Sequence, residues 1–260
     1  MPAQYIQIEK RPPLAVVIMD RPCVHNALGV AALAEIDAVF AQLREDPDVR
    51  VILLTGAGDR AFASGVDVSD LNSLSPRAGA TFFLRAQETF RHLEMLGKPI
   101  LACIRGYALG GFWELALAAT IRIAADDARI GHPEVKFGLT AGYGGIQRLP
   151  GIIGRNAALR LLLSGESIDA REALRIGLVE EVVPAAELMV RAEQLALTIA
   201  GNAPLAVQAT MQAVNELLDW RADQAMLRES ERFGRLCGTE DKAEGTKAFL
   251  EKRKPNWKGR

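Results

Sequence analysis

A glutamate follows a glycine-rich turn in the segment Gly106-Tyr107-Ala108-Leu109-Gly110-Gly111-Phe112-Trp113-Glu114-Leu115-Ala116-Leu117-Ala118. The apolar run ahead of this segment reads as a buried strand, and the segment's later half as the start of a helix. Glycines let a backbone approach a ligand closely. The first helical turn leaves N–H groups without intrahelical partners, and these attract negative charge. Glu114 sits three residues after Gly111, so it projects from that same turn. An acid there is placed to move a proton while charge builds on a nearby oxygen. A second acid, Glu134, follows Pro133 in His132-Pro133-Glu134-Val135-Lys136-Phe137-Gly138-Leu139, and Ala141-Gly142-Tyr143-Gly144-Gly145 comes next. Each feature has a plainer reading. The glycines can serve packing alone, Glu114 can merely complement the helix dipole, and Glu134 can be a solvated turn carboxylate. Neither segment alone chooses between these readings.

A third segment, Ala61-Phe62-Ala63-Ser64-Gly65-Val66-Asp67-Val68, also brings small residues after a strand. Its backbone N–H groups are available to a ligand. Gly56-Ala57-Gly58 has the start of a dinucleotide-binding turn, but the surrounding segments belong to another pattern. There is no Gly-x-x-x-x-Gly-Lys for nucleotide phosphates, and Ser64 is not in a Gly-x-Ser-x-Gly elbow. The cysteines, Cys23, Cys103 and Cys237, are three and widely spaced, which suits neither a disulfide framework nor a zinc site. The histidines, His25, His92 and His132, form no i, i+4 pair and have no evident companion ligands, so no metal is expected.

The net charge is −1 over 260 residues, so no overall positive field points to nucleic acid or a membrane surface. The apolar stretch from Ala108 to Ala125 contains Glu114 and Arg122, which argues against a membrane span. The N-terminus shows no apolar signal core, because Pro12, Pro13 and charges interrupt it. A reducing, cytoplasmic location is therefore expected.

The elements that must position these residues alternate. Leu14 to Met19, Val49 to Thr55 and Ile100 to Ile104 read as buried strands. Leu33, Ile36, Phe40 and Leu43 share one helix face, as do Phe83, Ala86, Phe90 and Leu93. This alternation predicts an α/β layer architecture. From Asn156 onward the pattern is mainly helical. Leu188, Ala192, Leu195 and Ile199 form one stripe, and Pro204 opens a further helix. A last helix is expected to start after Thr239 and to carry Lys252, Arg253 and Lys254 in its final turn. That basic run reads either as a solvated helix end or as a site. The composition shift near residue 190 divides a core of 1–190 from a helical region of 191–260.

In order along nearly the whole chain, these segments resemble the enoyl-CoA hydratase/isomerase, or crotonase, superfamily. Pro22 to Leu28, ending in Asn26-Ala27-Leu28, resembles its first CoA-contacting turn. Phe62 to Asp67 and Gly106 to Glu114 resemble its two oxyanion loops. Pro133-Glu134 through Gly144-Gly145, with Gln147-Arg148-Leu149, resembles its second acid and the following loop. Ala248 to Lys254 resembles its C-terminal helix.

The resemblance implies a crotonase-like spiral of β-β-α units followed by a helical trimerisation region, and hence a homotrimer or a dimer of trimers. It implies hydration of a 2-enoyl-CoA to a 3-hydroxyacyl-CoA. The N–H groups of Val66 and Gly111 would hold the thioester oxygen, and Glu114 and Glu134 would act as the two acid–base carboxylates. Asn26, Ala27, Ala63, Ser64, Val66, Asp67, Val68 and Gly111 would line the substrate and CoA site, joined by Phe249 and Lys252 from the last helix. CoA would be part of the substrate, with no further cofactor, nucleic acid or membrane partner. Isomerisation, carbon–carbon hydrolysis, or a non-catalytic CoA-binding role remain open alternatives, and retention of both acids favours hydration. Val66 stands where many members of that family carry Ala, which leaves its N–H unaffected; Phe112, Trp113, Tyr143 and Ile146 replace smaller residues, and the aromatics among them predict a narrowed or reshaped acyl pocket.

Overall fold

A computed structural model describes residues 5–66, 75–219 and 239–260. Two sheets organise the described residues. The larger has the order β1 (Ile6–Arg11), β2 (Leu14–Met19), β3 (Val51–Gly56), β5 (Ile100–Ile104), β7 (Ile121–Ala125), β10 (Glu181–Val183). The smaller has the order β4 (Ala61–Ala63), β6 (Tyr107–Leu109), β8 (Arg129–Gly131), β9 (Ser167–Asp169). Strands β3, β5 and β7 each enter the larger sheet, and the strand that follows each one, β4, β6 or β8, enters the smaller. The chain therefore winds as a spiral of strand pairs. Pairing is parallel from β2 to β10 and from β4 to β8, with an antiparallel strand at one edge of each sheet.

The strands of the larger sheet read as unbroken apolar runs because both faces are covered. Ala15, Val17, Met19, Ile52 and Leu54 enter one core, while Leu14, Val16, Val51, Leu53 and Leu101 enter another. Helices α1 (Val30–Glu45) and α2 (Pro76–Glu94) cover the first face, with Leu33, Ile36, Phe40, Leu43, Ala86, Phe90 and Leu93 buried as the spacing predicts. Of the α2 stripe, only Phe83 stays partly exposed.

Between these come α3 (Gly110–Leu117), α4 (Gly145–Ile153), α5 (Arg155–Ser164) and α6 (Ala170–Arg175). Helix α7 (Leu188–Ala200) covers the second face of the larger sheet. Its deepest residues are Leu188, Ala192, Ala196 and Ala200, while Leu195 and Ile199 flank them. The small side chains bring the helix close to the sheet, so the stripe is turned from the expected one. Residue 190 lies inside this helix. Helix α8 (Pro204–Asp219) opens on Pro204 as expected.

Helix α9 (Glu240–Leu250) starts where predicted but stops short of the basic run. Lys252 takes a left-handed backbone, φ 54°, and the Arg253 N–H bonds back to the Ala248 carbonyl at 3.1 Å. That is a Schellman closure, which ends a helix. Arg253 then pairs with Glu244 and Glu251. Phe249 and Lys252 therefore do not share a helix face, and the basic run is not a helical last turn. Among the described residues no helix is long and apolar enough to cross a membrane.

Candidate active site

The two glycine loops meet backbone to backbone at the ends of the small-sheet strands. Gly65 and Gly110 both have positive φ, 92° and 63°. A Cβ on Gly65 would lie 3.2 Å from the Leu109 carbonyl, and one on Gly110 would lie 3.3 Å from the Gly65 Cα. Only glycine allows this approach. It sets Val66, which bridges to Leu28, beside Gly111: the Val66 Cγ2 is 3.0 Å from where a Gly111 Cβ would stand. Gly111 is the second residue of α3, so its N–H has no acceptor within the helix.

Glu114 is fully buried on α3. Its Oε1 accepts the Gly142 N–H at 3.3 Å, and its Oε2 accepts the Gly145 N–H. A Cβ on Gly145 would fall 2.7 Å from Oε2, so that glycine makes room for the acid. Burial pushes the Glu114 carboxyl up to about 7. The adjoining His132 opposes that shift, the Glu134 carboxyl adds to it, and the two N–H groups oppose it.

Glu134 lies on the 3-10 turn Pro133–Phe137. Its Oε1 comes within 3.4 Å of the Cβ position at Gly110. The structure thus gathers Glu114, Glu134, Val66 and Gly111 at one place, from segments that are separate in sequence.

His132 joins them, which the sequence reading missed. Glu114, His132 and Glu134 each offer an atom within 4.8 Å of the others, contrary to the expectation that no histidine has companion ligands. The set does not suit a metal ion. Trp113 Nε1 donates to His132 Nε2 at 3.1 Å, so Nε2 is occupied as an acceptor. The ring nitrogen facing Glu134 is then the protonated one, which has no lone pair for an ion. The signal in the sequence was adjacency: Trp113 precedes Glu114, and His132 stands two before Glu134.

The turn at 22–28 is tied to the 56–66 segment. Asn26 is buried with a left-handed backbone. Its Oδ1 accepts the Arg21 N–H, and its Nδ2 donates to the Ala57 and Ala61 carbonyls at 3.0 and 2.8 Å. Both amide hydrogens are therefore spent within the chain, and Asn26 holds the turn in place. The Ala27 carbonyl accepts from Arg21, and Ser64 Oγ donates to the Val24 carbonyl at 3.2 Å. Ala63 is buried in β4. Beside this junction lies a cavity of about 250 Å³ lined by Pro22, Cys23, His25, Asn26, Asp59 and Arg60. Asp67 and Val68 lie outside the described residues, as does Cys237. Nothing is described of the Phe249 side chain, and Lys252 is exposed past the end of α9.

Residues 9–260 match the family model for enoyl-CoA hydratase/isomerase. The chain belongs to that family. It is 42% identical over 247 residues to a short-chain-enoyl-CoA hydratase of Clostridium acetobutylicum, covering 95% of each chain. It is 40% identical over 257 residues to a crotonyl-CoA hydratase of Syntrophomonas wolfei, covering 99% of each. A crystal structure of an enoyl-CoA hydratase from Bacillus anthracis superposes with a TM-score of 0.95 at 35% identity, over 99% of this chain and 100% of that one. The crotonase-like spiral expected from the family resemblance is the observed fold.

The larger residues of this family member occupy two places. Tyr143 is fully buried, in ring contact with Phe82, Phe83, Phe90 and Phe112 at centroid distances of 5.3 to 5.6 Å. Its Cε2 is 3.0 Å from the Cβ position of Gly111, so this aromatic cluster backs the turn. Ile146, by contrast, is exposed.

Proposed function

We propose that the chain adds water across the double bond of a short-chain 2-enoyl-CoA, giving the 3-hydroxyacyl-CoA. The observation that carries this is the convergence of two carboxylates on a glycine turn with helix-end N–H groups. The short acyl group is supported by the two relatives, a short-chain-enoyl-CoA hydratase and a crotonyl-CoA hydratase. The thioester carbonyl sits against the N–H groups of Val66 and Gly111. Glu114 takes a proton from water as its oxygen bonds to C3, and the electron pair of the double bond passes into a thioester enolate held by the two N–H groups. Glu134 delivers a proton to C2, the carbonyl re-forms, and exchange with solvent passes the proton held by Glu114 back to Glu134, so both acids are reset. Water supplies every atom that is added, so no metal or redox cofactor is required. Addition of the protein to crotonyl-CoA, with a chelator present and no added cofactor, should abolish the enoyl-thioester absorbance. Persistence of that absorbance across linear, branched and cyclic enoyl-CoAs would refute the reading.

A pH profile tests the role of Glu114. The base works as a carboxylate, and its folded-state value near 7 lies above the usual range. Activity should therefore fall as pH drops below about 7, measured as kcat/KM from about pH 5 to 9. Because the two acids interact, that apparent value belongs to the pair. A profile flat through 7 would remove Glu114 from the role of base.

We propose further that the chain works in the cytoplasm as a trimer or a dimer of trimers, with the segment after α9 reaching a neighbour's coenzyme. The long helical second half supports assembly, and an exposed cation at Lys252 suits a CoA phosphate. Lys252→Ala should raise KM and reduce the salt dependence of KM, with kcat unchanged. An unchanged KM and salt response would leave Lys252 a surface charge. A monomeric mass by light scattering would refute the assembly.

A further inference from the structure

We propose that Trp113 and His132 form a positioning pair that orients the Glu134 carboxylate and selects which of its oxygens carries the proton. The inference rests on the reading of Glu134 as a proton carrier. An indole N–H only donates, and Trp113 Nε1 is 3.1 Å from His132 Nε2 between two buried rings. The imidazole must present a lone pair at Nε2, so the proton of the neutral ring sits on Nδ1. Nδ1 and both Glu134 oxygens are buried atoms without a hydrogen-bond partner. Nδ1 lies 3.8 Å from Oε2. That is longer than a hydrogen bond, but leaving three such atoms unpaired is costly, and a small carboxylate rotation closes the gap. Catalytic hydrogen bonds commonly tighten when substrate binds. Pro133 stiffens the single residue between ring and acid.

The consequence is an asymmetry in Glu134. Oε2 is taken by the Nδ1–H. Oε1, which faces the glycine turn 3.4 Å from the Gly110 Cβ position, is left to hold the proton for C2. The Trp113–His132 bond also ties the helix bearing Glu114 to the turn bearing Glu134. Neither Trp113 nor His132 needs to touch substrate for this.

Two measurements test the pair. A long-range proton–nitrogen NMR spectrum of histidine-labelled protein should show His132 protonated at Nδ1 and bare at Nε2; a proton on Nε2 alone would overturn the proposal. Kinetics of substitutions at 132 give the second readout. Glutamine can accept from the indole through its oxygen and donate to Glu134 through its nitrogen, whereas leucine can do neither. His132→Gln should stay within about threefold of wild-type kcat, and His132→Leu should lose roughly 10- to 100-fold in kcat with KM little changed. Should the leucine protein not fold, Trp113→Phe serves instead: it keeps a ring, removes the donor, and should lose about 10-fold in kcat and mix the His132 tautomers. Equal kcat in the glutamine and leucine variants, or a wild-type kcat in Trp113→Phe, would overturn the proposal. An inactive Glu134→Gln beside an unimpaired His132→Leu would sink this inference alone, while a fully active Glu134→Gln would sink the glutamate mechanism first.

Discussion

Glu114→Gln and Glu134→Gln are each expected to lower the hydration rate by roughly 10²- to 10⁴-fold, the range for a lost general acid or base. The amide is nearly isosteric with the acid. At position 114 it keeps one oxygen to accept a backbone N–H, while its NH2 faces the other, so one of the bonds from Gly142 and Gly145 is lost along with the base. CoA affinity, read by calorimetry, should persist, because the proposed scheme gives neither acid a role in holding the nucleotide. Near-wild-type turnover in either variant would end the two-carboxylate account. The losses should not add in the double variant, because the two groups serve one proton-transfer sequence.

Gly111→Pro is expected to cost roughly 10²- to 10³-fold in kcat, the loss typical of one oxyanion donor. Proline deletes the N–H but is tolerated in the first turn of a helix, where that N–H has no intrahelical acceptor. It also adds a Cβ, which would meet Tyr143 Cε2 and Val66 Cγ2, each at 3.0 Å. Gly111→Ala adds the Cβ alone and separates crowding from loss of the donor. The proline variant should be at least about 10-fold slower than the alanine variant, with circular dichroism and mass unchanged. Equal rates would mean that crowding against the aromatic cluster, and not the N–H, accounts for the loss.

The legible parts of the fold were the long periodic ones. Leu33, Ile36, Phe40 and Leu43 fell on the buried face of α1, and Leu14 to Met19 and Ile100 to Ile104 were strands with the expected bounds. Val49 to Thr55 was displaced by a residue or two, because the observed strand runs Val51–Gly56. The smaller sheet was illegible from the residues. Its strands are three residues long, too short to show a period of two. The end of α9 was misjudged because a basic last turn is a favourable pattern. It lost to a left-handed Lys252 and to the pairing of Arg253 with Glu244. Glu114 and Gly111 were visible as local chemistry, one helical turn apart. Glu134 joined them only through the family pattern, since contact across the spiral leaves no local signature. His132 is not legible from histidine spacing, because its partners are an indole and a carboxylate.

The most direct test of the account is the product formed from crotonyl-CoA in deuterated water. Proton NMR should show 3-hydroxybutyryl-CoA with one deuterium at C2, which reports water oxygen at C3 and a solvent-derived proton at C2. A deuterated 3-enoyl-CoA without a hydroxyl would make the chain an isomerase. Unchanged crotonyl-CoA under conditions where it binds would contradict the proposed hydration.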